Sequence, residues 1–193
     1  FNALAEKKLG WDAKEIENGH IVSMKHVVGN IYLEPGGQIE FASNPCSTLQ
    51  DLKRAVETYF NDTGAVCLDK GVNVAPYGFH PHLTIDECPY ISERSRFAAL
   101  KAVFEAEGGF AAWGQSSSVQ VTLDGGTPEN AFARFKAGLM LQPVLAAVFA
   151  NSPFSQGQDK NCQSWRRQNL LALDSPLYRI PDNLFNPDYT LAD

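Results

Sequence analysis

Cysteine is scarce in this 193-residue chain, and the little there is forms no motif. Cys46, Cys67, Cys88 and Cys162 include no C-x-x-C pair and no metal-finger spacing. That excludes a zinc finger or a thioredoxin-type redox centre and leaves free thiols in a reducing cytosol, a cytoplasmic protein, as the expectation. Basic residues are also outnumbered, 16 against 22 acidic ones, for a formal charge of −6. Such a balance argues against a broad nucleic-acid or anionic-membrane surface. No apolar run approaches the length of a membrane span, and the opening Phe1-Asn2-Ala3-Leu4 has neither the basic region nor the apolar stretch of a signal segment. Internal repeats and low-complexity runs are missing as well. What remains is an ordinary globular composition, 44% hydrophobic and 20% charged, with enough length for one domain around a real core. The chain starts without methionine and stops at Asp193 soon after a Pro- and Asn-rich loop, so residues 1–193 are expected to be a single, incomplete domain of a longer polypeptide.

The most informative stretch is Leu33-Glu34-Pro35-Gly36-Gly37-Gln38-Ile39-Glu40-Phe41. It reads as two strands, 30–34 and 38–41, joined by a tight turn. Pro35 presets φ for that turn, and the glycines accept the positive φ that reversals require. Strand alternation puts Gln38 and Glu40 on one face and Ile39 and Phe41 on the other. The apolar pair can bury itself, leaving a carboxylate and an amide on the open face with Glu34 nearby. Oxygen donors of this kind suit a hard cation such as Mg²⁺, while an exposed polar face on a half-buried sheet is the plainer reading.

Around this centre, residues 3–16 read as a short helix, with Leu4, Leu9 and Trp11 available for burial. Residues 19–33 are β-like, with a hairpin turn at Gly29-Asn30. Ser47-Thr48-Leu49-Gln50 has the form of a capping box, and Leu49, Leu52, Val56, Tyr59 and Phe60 recur at helical spacing, predicting a helix over 47–61. Residues 66–81 read as strand and loop, closing on Gly78-Phe79-His80-Pro81-His82. Its two histidines are either a constrained metal pair or ordinary loop residues. A helix is expected within 89–107, with Phe97, Leu100 and Phe104 on one side. In 118–124, Val119, Val121 and Leu123 alternate with Gln120, Thr122 and Asp124, predicting a second strand of inward apolar and outward polar groups. Thr127-Pro128-Glu129 marks a helix start, and the small apolar run around Gly138 suggests close packing on the sheet. Pro143 should kink that helix. Residues 155–163 read as a polar, mobile loop before Ser164-Trp165-Arg166-Arg167.

These landmarks resemble, in order, the plant-type glutamate–cysteine ligase family. Leu33 to Glu40 matches its Leu-Glu-Pro-Gly-Gly-Gln-Phe-Glu strand, and Gly78-Phe79-His80-Pro81 matches its Gly-Phe-x-Pro loop. Pro89 through Arg96-Phe97 matches its Pro-rich approach to an Arg-aromatic helix, and 118–124 matches its Thr-Val-Gln-Val-Asn-Leu-Asp strand. The long block from Arg134 to Pro143, continuing to Phe154, and Ser164-Trp165-Arg166 complete six blocks between Ile31 and Arg167. The resemblance implies an α+β, glutamine-synthetase-like fold, with an antiparallel sheet whose polar face lines a funnel and helices behind it. It implies an enzyme that uses ATP and Mg²⁺ to join the γ-carboxylate of L-glutamate to the amine of L-cysteine, the first step of glutathione synthesis. Its partners would then be small molecules, with no nucleic acid and no membrane. Glu34, Glu40 and Gln120 are the implied metal-facing set. Arg166 would clamp phosphate or carboxylate, and Arg96 and Gln38 would hold substrate; for each arginine a surface salt bridge is the alternative. Three departures stand out. The family's acid-rich first strand has no counterpart, Thr122 replaces Asn, and Gln168-Asn169-Leu170-Leu171 replaces a His/Glu-Ile-Trp run. A ligase using another amine, and a ligase-like module that binds without turnover, are the alternative readings. A hydrolase built on His80 and His82 lacks a nucleophile motif.

Overall fold

The computed structural model describes residues 1–88, 95–106, 109, 113–173, 180, 182–186 and 189, with only the backbone at 95, 96, 98, 99, 104 and 106. The chain is mixed α+β and divides into two compact units, residues 1–76 with 89–100, and 77–88 with 101–193.

In the first unit a short helix α1 (Asn2–Glu6) precedes four strands, β1 (Asp12–Glu17), β2 (His20–His26), β3 (Gly29–Leu33) and β4 (Ile39–Ser43). They form an antiparallel sheet in sequence order. The helix expected over 3–16 therefore ends early. Gly10, with φ of 91°, turns the chain, and Trp11 enters the core ahead of β1. The β2–β3 turn falls one or two residues before the expected Gly29-Asn30, because Gly29 is already paired with His26. Glycine is needed there for space, since a Cβ would lie 2.3 Å from the Ala42 carbonyl oxygen on β4.

Register sets the faces. Met24, Ile31 and Phe41 are directly opposed across β2, β3 and β4, and so are Ser23, Tyr32 and Glu40. The first set carries the core. Met24 and Ile31 are fully buried with Leu4 and Trp11, and Phe1, Ala5, Phe41, Tyr59 and Val66 pack against them. Each such aliphatic side chain contributes about 1.5–3 kcal/mol on burial. Helix α2 (Leu49–Asp69) lies on this side through a parallel stack of Tyr59 on Phe41, centroids 4.7 Å apart. Trp11 in turn stacks on His26 at 4.7 Å and donates its indole N–H to Asp62 at 2.9 Å. Burial raises the Tyr59 hydroxyl above its usual pKa.

The cap of α2 is Thr48 rather than Ser47. The Thr48 Oγ1 accepts from the Asp51 N–H at 3.1 Å and donates to the Asp51 carboxylate at 2.6 Å. The helix also runs eight residues past the expected end, so the strand predicted from Val66 is helical.

In the second unit, the 77–80 segment is anchored by a bridge from Phe79 to Ser116 and by His80 N–H to the Gln115 carbonyl, 2.8 Å. Residues 118–124 are a correction. Among the described residues no strand pairs with them, and Val119, Val121 and Leu123 are exposed by 70% or more. Alternation predicts which faces a strand would have; a ladder also needs a neighbour. Helix α4 (Pro128–Val148; α3 being Ser95–Ala106) starts as predicted, with Thr127 accepting from Asn130 N–H and Pro128 in the first turn. It passes through Pro143 and buries none of its residues, against the expected packing on the sheet. It is also long and apolar enough, by length and composition only, to cross a membrane. Arg134 and Lys136 interrupt it, which is why no continuous apolar run stands out in the sequence. The expected loop 155–163 instead holds a small hairpin, β5 (Phe154–Ser155) and β6 (Gln158–Asp159), turned by Gln156 and Gly157 at φ of 55° and 71°. Two successive positive φ values are the tight-hairpin geometry. Helix α5 (Trp165–Leu171) follows, capped by Ser164.

Candidate functional site

The first unit contributes an acidic wall. Glu34 and Gln38 face each other across the Pro-Gly-Gly bend, the Glu34 N–H donating to the Gln38 carbonyl at 2.8 Å. The Gly37 N–H closes the turn on the Glu34 carbonyl at 2.9 Å, and Gly37 takes the positive φ, 86°, that its position demands. Pro35 is fully buried, which locks the bend to the body of the unit. By register Glu34, Gln38 and Glu40 share the face opposite Ile31 and Phe41, as the alternation in the sequence predicts. Glu40 is exposed and lies directly opposite Tyr32. The Tyr32 hydroxyl accepts from the Lys14 ammonium at 3.0 Å. Lys14 arrives from a bulge in β1, between Ala13 and Glu15, a feature with no sequence signal strong enough to predict it. Beneath this row Ser23 is completely buried, its hydroxyl without a hydrogen-bond partner.

Two carboxylates and an amide on one surface are hard oxygen donors, and Mg²⁺ is ordinarily held by one or two carboxylates with the rest of its shell from water and phosphate. The donor chemistry of Glu34 and Glu40 fits that ion. Among the described residues no three of His, Cys, Asp and Glu cluster into a metal centre of their own, so such an ion would depend on substrate oxygens. The His80 Nδ1 is taken up within its own loop. It accepts from the N–H groups of His82 and Leu83 at 3.3 and 3.0 Å, which fixes it as a loop brace. Burial, and then His82, hold its pKa below the usual histidine value.

The second unit contributes a cationic corner. Ser152 is buried and threaded between segments, its N–H on the Gln163 carbonyl at 3.1 Å and its carbonyl receiving the Trp165 N–H at 2.7 Å. Its hydroxyl accepts from the Arg166 N–H at 3.3 Å. Asn151 receives the Gly78 N–H at 2.9 Å, and Pro81 receives the Gly157 N–H at 2.9 Å, so the Gly78–Pro81 segment, the β5–β6 hairpin and the start of α5 are tied together. Arg166 is half-buried, and its Nε is buried without a hydrogen-bond partner among the described residues. Burial and the adjacent Arg167 hold the guanidinium below the usual arginine range. Lys160 adds a third cation, seated 5.1 Å from the Trp165 ring centroid. An under-solvated guanidinium among cations is chemically a receiver for carboxylate or phosphate.

Gln120 and Arg166 belong to this second unit, Glu34, Gln38 and Glu40 to the first. Gln120 is exposed on the unpaired 118–124 segment. Arg96 lies in α3, and its side chain is outside the described residues. The buried Ser152 and the Lys14–Tyr32 contact were not singled out by sequence, and Asn169 only within a departure from the family pattern; a lone serine in an Asn-Ser-Pro run carries no pattern that marks it.

Residues 13–186 match the model of glutamate–cysteine ligase family 2. The chain belongs to that family. Among curated relatives of this glutamate–cysteine ligase family chain, glutamate–cysteine ligase A, chloroplastic, of Oryza sativa subsp. japonica is 32% identical over 168 residues, 86% of this chain and 34% of the relative. The chloroplastic glutamate–cysteine ligases of Medicago truncatula and Arabidopsis thaliana are each 32% identical over 168 residues, 86% of this chain and 32% of theirs. The family chain thus spans about a third of the length of the curated relatives it matches. Their names carry a correction, because these are chloroplastic proteins, whereas cysteine usage had pointed to the cytoplasm. The four thiols are free, as expected, but a lack of disulfides does not distinguish one reducing compartment from another.

Proposed function

We propose that this chain is part of an ATP-dependent glutamate–cysteine ligase, within one glutamine-synthetase-like catalytic domain. The observation that carries the reading is the shared face of Glu34, Gln38 and Glu40 at a rigid bend, in a chain of this family. In the reaction the γ-carboxylate of glutamate attacks the γ-phosphorus of ATP, giving an acyl phosphate and ADP. The amine of cysteine then attacks the acyl carbon, phosphate leaves with the bonding pair, and the ammonium proton is lost to solvent or base. Both steps gather negative charge on phosphoryl oxygens, and stabilising that charge is most of the catalytic task. Glu34, Glu40 and Gln120 are the residues proposed to hold Mg²⁺, which supplies charge neutralisation on the phosphates. Arg166 receives phosphate or carboxylate, and Gln38 and Arg96 orient glutamate.

The test is release of ADP dependent on glutamate and cysteine together. Glu40→Ala is expected to abolish it and leave the fold intact, because Glu40 faces solvent rather than the core. ADP release with another amine in place of cysteine moves the assignment within the ligase class. The second reading is a ligase-like module that binds substrate, nucleotide or a partner without turnover. Calorimetric binding of Mg·ATP with no ADP release would select it.

A further inference from the structure

Helix α5 carries two buried polar atoms that have no hydrogen-bond partner among the described residues. One is the Arg166 Nε, a donor; the other is the Asn169 Oδ1, an acceptor. They sit three residues apart, one turn along the same helical face, and they do not bond each other. Buried polar atoms are normally paired, and each exception asks for an explanation. A donor and an acceptor on one helical face are complementary to a ligand presenting an acceptor and a donor. We propose that Asn169 is a specificity-determining residue that reads the amino group of an α-amino-acid substrate, whose carboxylate is held by Arg166. The cationic surroundings, Arg167 in sequence and Lys160 on the Trp165 ring, favour the carboxylate over a neutral partner for the guanidinium. The inference rests on the ligase reading only for the choice of amino acids to test.

The experiment is calorimetry on the whole chain with matched pairs of ligands, glutamate against glutarate and cysteine against 3-mercaptopropionate, each pair differing by the amino group alone. A hydrogen bond to a charged group corresponds to roughly tenfold or more in affinity. Wild type is expected to prefer one amino acid to its deaminated partner by at least tenfold. Asn169→Leu brings that ratio to about one and leaves the affinity for the deaminated acid unchanged; Asn169→Ala, a smaller change, serves if the leucine variant does not fold. Equal weakening of both members of the pair, no change in the ratio, or no binding of either amino acid by wild type overturns the proposal. Selectivity with no ADP release defeats the ligase reading and leaves this one standing.

Discussion

Replacing Arg166 by glutamine should make the protein more stable while removing its function. The guanidinium is half-buried, desolvated, next to a second arginine, and its Nε has no partner. An unsatisfied buried donor costs about 1–3 kcal/mol, and half-burial argues for the lower part of that range. Glutamine removes the charge and the Nε but gives up one methylene of packing, worth about 0.8 kcal/mol. The main-chain bond from residue 166 to the Ser152 hydroxyl survives. The net gain is then up to about 1 kcal/mol, which for a chain of this length raises Tm by roughly 2–4 °C. Thermal unfolding with and without a saturating ligand reads both halves of the argument. At a hundred times Kd a ligand that binds only the folded state adds about 2.7 kcal/mol, and this increment should vanish in the variant. If Arg166→Gln instead lowered Tm by several degrees, Arg166 would be a structural strut and the reasoning would fail.

Other outcomes follow from geometry. Gly29→Ala should cost roughly 2–3 kcal/mol, since its Cβ would meet main-chain atoms of β4 that cannot step aside; Gly19→Ala, with a φ of 79° but nothing within 4 Å, should cost about 1 kcal/mol, and equal denaturation midpoints would refute the steric account. Thr48→Ala should lose about 1 kcal/mol and Ser47→Ala almost nothing, because only Thr48 caps α2; urea melts decide. The folded-state pKa of His80 lies below its unfolded value, so the contribution of this residue to stability is fully present above the ordinary histidine pKa and declines as pH falls from there toward the folded-state value. His80→Gln should flatten that part of the stability–pH curve.

The sequence made legible those features that depend on neighbours along the chain. The Pro-Gly-Gly bend, the polar and apolar faces of β4 and the Thr127-Pro128 start of α4 are local choices, and each was readable. What was not legible depends on distant partners. Residues 118–124 have the alternation of a strand but no ladder among the described residues, and α4 has the composition of a core helix but no buried residue. Asn169 stood out only as a departure from a family pattern, and the burial of its oxygen one turn along α5 from Arg166 is visible only in the structure. Ser152 matters through three bonds to segments remote in sequence, which no spacing encodes.

The unpaired run at 118–124 has a practical consequence. With three branched aliphatic side chains open to water and no strand paired to it among the described residues, it is a template on which another extended peptide can stack. Preparations of the isolated polypeptide should therefore scatter light increasingly as they are concentrated, and a lysine at position 121 should keep them clear.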